Sequence, residues 1–387
     1  MDEITVVGGG LAGLVAAISC AESGAQVRLL EAHELLGGRA RSTSGRYKAN
    51  LGPHALLSNS PFWRWLGERG LLPPHARPPL SGVRFRWEDE IRRVPAVGAA
   101  VAALRLRVRS APVELDFRSW ASDHVGLEAA DQLARSAGIL TYYHDPGALS
   151  AAFLWEPLVR GLLSAPPAAR YPIGGWNAIV ERMRRRAIEL GVEISTGTRV
   201  EKLPAPPVIV ATELADARRL LGDDQLRWIS GNAVCLDLAL HRRRGDPFVV
   251  VDLQEAGWVE RYTAADRTLA PEGEELIQAQ MPIRLGESSD GACTRLERLL
   301  DAAFVDWRER ETWRRRQTMD GRTGALDLPG KTWRDRPPVM YDDGVYLAGD
   351  MVGAPGCLSE IAWASAIEAS RHAVGATHDG RWVESVA

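Results

Sequence analysis

The segment Ile4-Thr-Val-Val-Gly8-Gly-Gly10-Leu-Ala-Gly13-Leu-Val-Ala-Ala17 decides the fold of this chain. It opens with four β-branched residues, continues with a glycine turn at G-x-G-x-x-G spacing, and ends in a run of leucine, valine and alanine that favours a helix. This order predicts the strand, tight turn and helix of a dinucleotide-binding unit. Gly8 would permit the turn, Gly10 would admit a pyrophosphate to the backbone, and Gly13 would let the helix pack closely on the strand.

Glu31 supports the same interpretation because it ends a second apolar segment, residues 27–31. A carboxylate at this position can accept hydrogen bonds from both hydroxyl groups of an adenosine ribose. The alternative is an ordinary glycine-rich turn with a solvated glutamate, which the complete strand, turn and helix context argues against. The residues predicted to contact the nucleotide in this half of the site are Gly8, Gly10, Leu11, Ala12, Gly13, Glu31 and Ala32.

Two further glycine-containing segments extend the pattern. Gly37-Gly38-Arg39-Ala40-Arg41-Ser42 follows Glu31 closely, and its backbone amides and guanidinium groups can reach a second part of a pyrophosphate. Near the other end of the chain, residues 345–348 are a predicted buried strand that leads into the turn Gly349-Asp350, and a long helix is expected after Gly356. The first of these segments therefore extends the predicted nucleotide site.

These segments resemble those of the flavin-containing superfamily of amine oxidases, protoporphyrinogen oxidases and phytoene desaturases. Members carry the dinucleotide fingerprint, a G-G-R-x-x-[ST] doublet, and a C-terminal Gly-Asp turn followed by a helix that points at the flavin ring. The resemblance implies that FAD is the cofactor. It also implies FAD contacts, including a backbone contact with the adenine at Val200, for Gly37, Gly38, Arg39, Ala40, Arg41, Val200, Gly349, Asp350, Cys357 and Leu358.

Further segments resemble the same superfamily. Leu51-Gly-Pro-His54 resembles a stretch that passes close to the flavin, which makes His54 the candidate catalytic residue, with a structural histidine as the alternative. Residues 145–151 resemble the D-P-x-x-L-S-A piece of desaturase-like members, and residues 171–175 resemble a Y-P-x-G-G segment that opens a helix. For Cys357, beside the predicted flavin, we prefer a buried thiol over a covalent thioether to FAD.

The chain is predicted to have an α/β fold, with a Rossmann-type FAD-binding domain and an inserted α+β substrate domain. The FAD-binding domain is expected from residues 1–80, 171–231 and 321–387, and the substrate domain from residues 81–170 and 232–320. Within these limits the patterns also predict a hairpin over 83–94, strands over 198–203, 233–240, 248–253, 258–263 and 276–283, a helix over 293–308, and a loosely ordered tail beyond 375.

Composition narrows the function. The chain has 387 residues, of which 45% are hydrophobic, so it can bury one or two substantial cores. Its formal charge of -3, with basic residues spread along the chain, argues against nucleic acid as a partner. The four cysteines are far apart and form no C-x-x-C pair, which predicts neither a disulfide framework nor a metal site and favours the reducing cytoplasm.

Two apolar segments are candidate membrane elements. The uncharged run over residues 5–21 is assigned to the nucleotide site, because no basic segment precedes it as in a signal peptide. The second run, Val94 to Leu104, lies between Arg93 and Arg105 and is too short to span a bilayer. We expect it to be a helix that covers the substrate cavity, with a helix lying on a membrane surface as the alternative.

The resemblance implies oxidation of an organic substrate by hydride transfer to flavin N5. Lys331 is the one lysine in a plausible region, and its surroundings do not match the lysine motif of amine oxidases. This favours dehydrogenation or desaturation of a small or apolar substrate over amine oxidation to an imine and hydrogen peroxide. The same signatures also fit a redox-neutral flavin-dependent isomerase, and a related architecture occurs in non-enzymatic prenyl-binding proteins resembling Rab GDP-dissociation inhibitors. The sequence leaves the electron acceptor open between O2, a quinone and another carrier.

Overall fold

Three β-sheets organise the residues that the computed structural model describes, which are 3–52, 55–95 and 97–377. The strands of this described part are, in chain order, β1 (Ile4–Val7), β2 (Val27–Leu30), β3 (Leu56–Leu57), β4 (His75–Ala76), β5 (Val83–Trp87), β6 (Glu90–Arg92), β7 (Ala169–Pro172), β8 (Glu193–Ser195), β9 (Val208–Val210), β10 (Ser230–His241), β11 (Val249–Asp252), β12 (Trp258–Arg261), β13 (Glu274–Pro282), β14 (Glu311–Ala325), β15 (Met340–Asp342) and β16 (Val345–Leu347).

Helices cover these sheets and form a cluster of their own. They are, in chain order, α1 (Leu11–Glu22), α2 (Pro61–Glu68), α3 (Val97–Leu106), α4 (Phe117–Val125), α5 (Leu127–Ser136), α6 (Gly138–Thr141), α7 (Ala151–Pro157), α8 (Asn177–Glu189), α9 (Leu214–Leu221), α10 (Ser289–Ala303), α11 (Trp307–Arg310) and α12 (Ser359–Thr377). A short π-helical segment, Leu158–Leu162, continues α7.

The first sheet has the strand order β15-β16-β9-β1-β2-β8 and is parallel except at β15. Strands β1, β9 and β16 are buried along their whole length, as expected for parallel strands covered on both faces. Because parallel strands point the same way, the residues that follow β1, β2 and β16 reach one edge of the sheet. Two segments from opposite ends of the chain therefore meet there.

The second sheet has the order β14-β10-β13-β12-β11-β5-β6 and is antiparallel except where β5 pairs with β11. Helix α10 packs on one face, where alternate residues of β10 such as Leu236 and Leu238 join Leu296 and Leu299 in a core cluster. The other face of β10 carries Cys235, Asp237 and Ala239. A third sheet, β3-β7-β4, has three strands.

The α/β fold class and most of the predicted elements are confirmed, with three corrections. Residues 198–203 form no strand, in keeping with the prolines at 204, 206 and 207, which cannot donate ladder hydrogen bonds and restrict the residues before them. The helix expected over 293–308 spans Ser289–Ala303 instead, because the Ser288 hydroxyl oxygen accepts a hydrogen bond from the Gly291 amide and caps an earlier start.

The third correction is β14, a long strand that the sequence pattern does not predict. It pairs with β10 at the edge of the second sheet. Its residues alternate between exposed and half-buried positions, but arginines occupy both sides, so the usual apolar alternation is absent. The predicted domain boundary at residue 321 therefore falls inside this single strand. The domain limits themselves stay a prediction.

Glu260 lies on the buried face of the second sheet, on the side away from α10. It is 5% exposed and accepts hydrogen bonds from the Tyr171 hydroxyl and, at 3.2 Å, from Trp258 Nε1. No ion pair reaches it within the described ranges of the chain. Burial raises the pKa of this carboxyl to about 7, because the charged form loses its hydration without gaining a cation.

Glu260→Gln should therefore change how stability depends on pH. The folded state holds the Glu260 proton more tightly than the unfolded chain does, so the wild type loses stability as pH rises from the usual carboxyl range toward 7. The variant keeps an acceptor for Tyr171 but does not titrate. Its free energy of unfolding relative to wild type should rise by about 2 kcal/mol between pH 5 and pH 8.

Urea unfolding of both proteins at the two pH values measures this difference. Glu272→Gln, at an exposed position near the same sheet, is the control for replacing a glutamate. A Glu260→Gln difference that stays constant with pH would contradict the assignment.

Candidate functional site

Three glycines shape the turn between β1 and α1, and each has a different physical role. Gly8 has a φ of +106°, and a Cβ there would lie 2.5 Å from the Ala211 carbonyl oxygen. A Cβ at Gly13 would lie 1.8 Å from the Gly8 carbonyl oxygen, so the close packing of α1 on β1 requires glycine. At Gly10, where φ is -71°, a Cβ would meet no atom within 4 Å. The space at Gly10 is therefore open at the start of α1.

The glycine doublet packs directly against this turn. The Gly37 amide donates to the Gly9 carbonyl oxygen at 2.7 Å, and Gly10 and Gly37 form an isolated parallel bridge. A Cβ at Gly38 would lie 3.3 Å from the Gly10 Cα. Ala40 ends the short 3-10 turn that follows, and Arg41 Nε donates to the Gly38 carbonyl oxygen at 3.1 Å. The two segments that are predicted to bind the pyrophosphate thus lie side by side, and their backbones form one continuous surface.

Glu31 ties the end of β2 to the same turn. It is 7% exposed, and its Oε2 accepts the Gly9 amide at 2.6 Å while its Oε1 accepts the His33 amide at 2.8 Å. Each carboxylate oxygen has a further lone pair, so a ribose hydroxyl could still be accepted. Ala32 follows and is half-buried. The carboxylate holds the backbone turn in shape in addition to the predicted role in nucleotide binding.

An ion pair connects the N-terminal doublet to the C-terminal turn. Arg39 Nη2 lies 2.5 Å from Asp350 Oδ2, and Arg39 Nη1 donates to the Arg322 carbonyl oxygen. Burial disfavours the charged guanidinium, but the Asp350 carboxylate outweighs this and raises the pKa of Arg39. The Gly349 amide donates to Ser365 Oγ at 3.0 Å, which anchors the turn to α12. The structure therefore brings Arg39, Gly349 and Asp350 together, and their contacts with FAD stay a prediction.

The start of α12 is held by contacts that the sequence does not predict. Glu360 Oε2 accepts the Cys357 amide at 3.2 Å and a hydrogen bond from Arg160 Nη1 at 2.8 Å. Leu358, just before the helix, has a φ of +56°, a left-handed conformation that costs a residue with a side chain about 1–3 kcal/mol. The three-residue spacing of Cys357 and Glu360 is a weak sequence signal for a helix cap. The sequence around Glu360 gives no sign that Arg160 would be its partner.

Cys357 itself is 6% exposed, and burial raises the pKa of its thiol to about 12. The reactive thiolate is therefore scarce at neutral pH, which supports a buried thiol over covalent attachment to a cofactor.

Of the four predicted site residues not yet mentioned, three lie in the described part of the chain. Leu11 and Ala12 open the first turn of α1 beside the glycines. Val200 is half-buried against the core of the first sheet, in a segment without regular structure. His54 lies outside the described residues, so its catalytic role stays a prediction.

Comparisons with known proteins agree with this architecture. A family model described as an NAD(P)-binding Rossmann-like domain matches residues 6–68. A carotenoid phi-ring synthase from Streptomyces griseus is 27% identical over 333 residues, which cover 68% of this chain and 61% of that protein. A carotenoid 3,4-desaturase from Haloarcula japonica is 42% identical over 73 residues, or 19% of this chain and 15% of that protein. The chain thus spans less than two thirds of the length of either relative.

A solved structure extends the likeness to the whole fold. An oxidoreductase from Methanosarcina mazei superposes with a TM-score of 0.76 at 17% identity, covering 96% of this chain and all of that one. At this identity the superposition shows the fold. Together with the sequence relatives and the joined glycine segments, it confirms the predicted resemblance to FAD-dependent oxidoreductases and indicates FAD as the cofactor. In its fold and in these glycine segments the chain is similar to flavin-containing oxidoreductases.

Proposed function

We propose that this chain dehydrogenates or desaturates an apolar organic substrate. The observation that carries the proposal is the contact among its three predicted cofactor segments. The Gly9 and Gly37 backbones join the first to the second, and the Arg39–Asp350 ion pair joins the second to the third. This arrangement lies at the carboxyl edge of a parallel sheet, where such folds bind nucleotides. FAD, when bound, would supply the hydride acceptor.

The described residues fit such a cofactor. The open space at Gly10 admits a pyrophosphate, and the amides at the start of α1 can donate to it. Glu31 would accept from the adenosine ribose through its remaining lone pairs. Asp350 would accept a ribityl hydroxyl while Arg39 holds its side chain in place. The Arg160–Glu360 pair would keep the start of α12 in one conformation beside the ring.

The substrate class is inferred from two observations. The names of both curated relatives refer to carotenoids, which are apolar polyenes. In addition, none of the three lysines is placed as amine oxidation in this superfamily would require. Lys48 and Lys202 are exposed, and Lys331 is 54% exposed and pairs with Asp335 at 3.5 Å. Both observations favour removal of hydrogen from carbon over oxidation of an amine.

The visible spectrum of the purified protein, before and after anaerobic reduction and on readmission of air, tests the proposal. We expect flavin bands, bleaching on reduction, and slow reoxidation by air. Reduction of the flavin by an apolar polyene under anaerobic conditions would then establish the reaction class. Rapid reoxidation with turnover of amines would show an amine oxidase, and turnover without an acceptor would show an isomerase. A protein that stays colourless after addition of FAD would be a binding protein.

Gly10→Ala should separate cofactor binding from folding. The backbone at Gly10 suits any residue and its Cβ would meet open space, so the free energy of unfolding should change by about 1 kcal/mol or less. The added methyl group would, however, occupy the space assigned to the pyrophosphate. We expect the Kd for FAD to rise by about tenfold or more.

Titration of apoprotein with FAD measures the change. Gly161→Ala is the matched control, because its Cβ would make only an ordinary contact at 3.9 Å with Leu57. Unchanged affinity in Gly10→Ala would place the pyrophosphate elsewhere.

Asp350→Ala should weaken FAD retention by about tenfold, because it removes a charged acceptor and releases Arg39. Asp350→Asn keeps an acceptor oxygen and should retain more flavin than Asp350→Ala. Flavin absorbance per protein after gel filtration gives the measurement, and Asp224→Ala, at an exposed position, is the control. Equal flavin content in Asp350→Ala and wild type would show that the site is misplaced.

A further inference from the structure

Helix α3 and the turn after it carry two apolar stripes. The inner stripe, Ala99, Ala102 and Leu106, is buried, and its last two residues belong to the core of the helical cluster. The outer stripe, named here the α3 stripe, consists of Val101 and Leu104 on the helix and Val108 in the turn, at the three- and four-residue spacing of one helix face. Their exposed fractions are 38%, 68% and 86%. A surface helix normally places polar residues on this side.

The segment that carries the α3 stripe contains basic but no acidic residues. Between Arg93 and Val113 the sequence contains no aspartate or glutamate. Arg107 donates a hydrogen bond to the Leu163 carbonyl oxygen. The other three arginines of the segment, Arg93, Arg105 and Arg109, are exposed, and within the described ranges they form no ion pair. Exposed arginines elsewhere commonly pair with a neighbouring acid, as Arg314 does with Glu311. The segment therefore combines exposed apolar side chains with three exposed arginines that form no ion pair in the described part of the chain.

We infer that the α3 stripe and its flanking arginines dock on an anionic phospholipid bilayer. The apolar side chains would enter the headgroup region, and the arginines would pair with lipid phosphates. The helix would lie along the surface, since no helix among the described residues has the length and apolar content to cross a membrane. The inner stripe packs on the helical cluster, and this packing does not account for the outer stripe. The covering of a substrate cavity by this helix stays a prediction.

Charge favours a bilayer over a second copy of this chain. A symmetric contact through the α3 stripe would bring the same surface from both copies together. Arg105 and Arg109 of one copy would then face equivalent arginines without an intervening acid, which is unfavourable. An anionic bilayer supplies the complementary charge. The inference goes beyond the proposed reaction, because docking requires neither substrate nor turnover.

Vesicle co-sedimentation of the full chain tests the inference. Vesicles of phosphatidylcholine alone are compared with vesicles that also contain phosphatidylglycerol, at several NaCl concentrations. We expect binding to the anionic vesicles that weakens as salt is raised. Leu104→Ser should lower the partition coefficient by about tenfold, and Arg105→Gln and Arg109→Gln by about fivefold each.

The controls remove the same groups elsewhere on the surface. Leu285→Ser deletes a leucine that is 87% exposed, and Arg227→Gln deletes an exposed arginine. Both should bind vesicles as wild type does. Equal sedimentation with the two vesicle types, or wild-type binding by the α3 variants, would overturn the inference. A dimer in gel filtration without vesicles that Leu104→Ser dissociates would also overturn it, because a second copy would then cover the stripe.

Discussion

The Arg39–Asp350 ion pair is the contact on which the cofactor site depends. Its partners come from opposite ends of the chain and meet only because β1, β2 and β16 point the same way in one sheet. A partly buried ion pair adds little net stability once the loss of hydration is included, but breaking it leaves an uncompensated charge. The main effect of this ion pair is therefore on the positions of the segments it joins, and not on the stability of the fold. It fixes the distance between the glycine doublet and the turn before α12.

The parts of the site that could be predicted are those in which a residue type satisfies a local backbone constraint. Gly8 and Gly13 are required by a positive φ and by a close approach of helix to strand, and both constraints show in glycine spacing. Strand β14 could not be predicted, because the partner that neutralises Arg315 is Asp237 on β10, 2.5 Å away in the folded state. In the sequence alone, that arginine run has the pattern of a solvated segment.

The start of α12 shows a different limit. Leu358 adopts a left-handed conformation that local preference would assign to glycine, and Gly356, two residues earlier, also has a positive φ. The surroundings must hold this strained backbone, and the bonds from Cys357 and Arg160 to Glu360 do so from both sides. Places where a chain breaks a local rule are often functional, and this one lies where the superfamily resemblance puts the flavin ring.

The segment that follows the doublet links the cofactor site to the second sheet. At one end Arg39 pairs with Asp350, and at the other the Asn50 carbonyl oxygen accepts from Arg315 Nη2 at 3.0 Å. Between them, Tyr47 packs in the cluster that covers the buried face of the second sheet. Arg315 is itself held by Asp237, so polar contacts run from β10 to Asn50, and the backbone continues from Asn50 to the doublet. A displacement of β10 or β14 would therefore move the backbone that carries Arg39, which couples the two sheets mechanically.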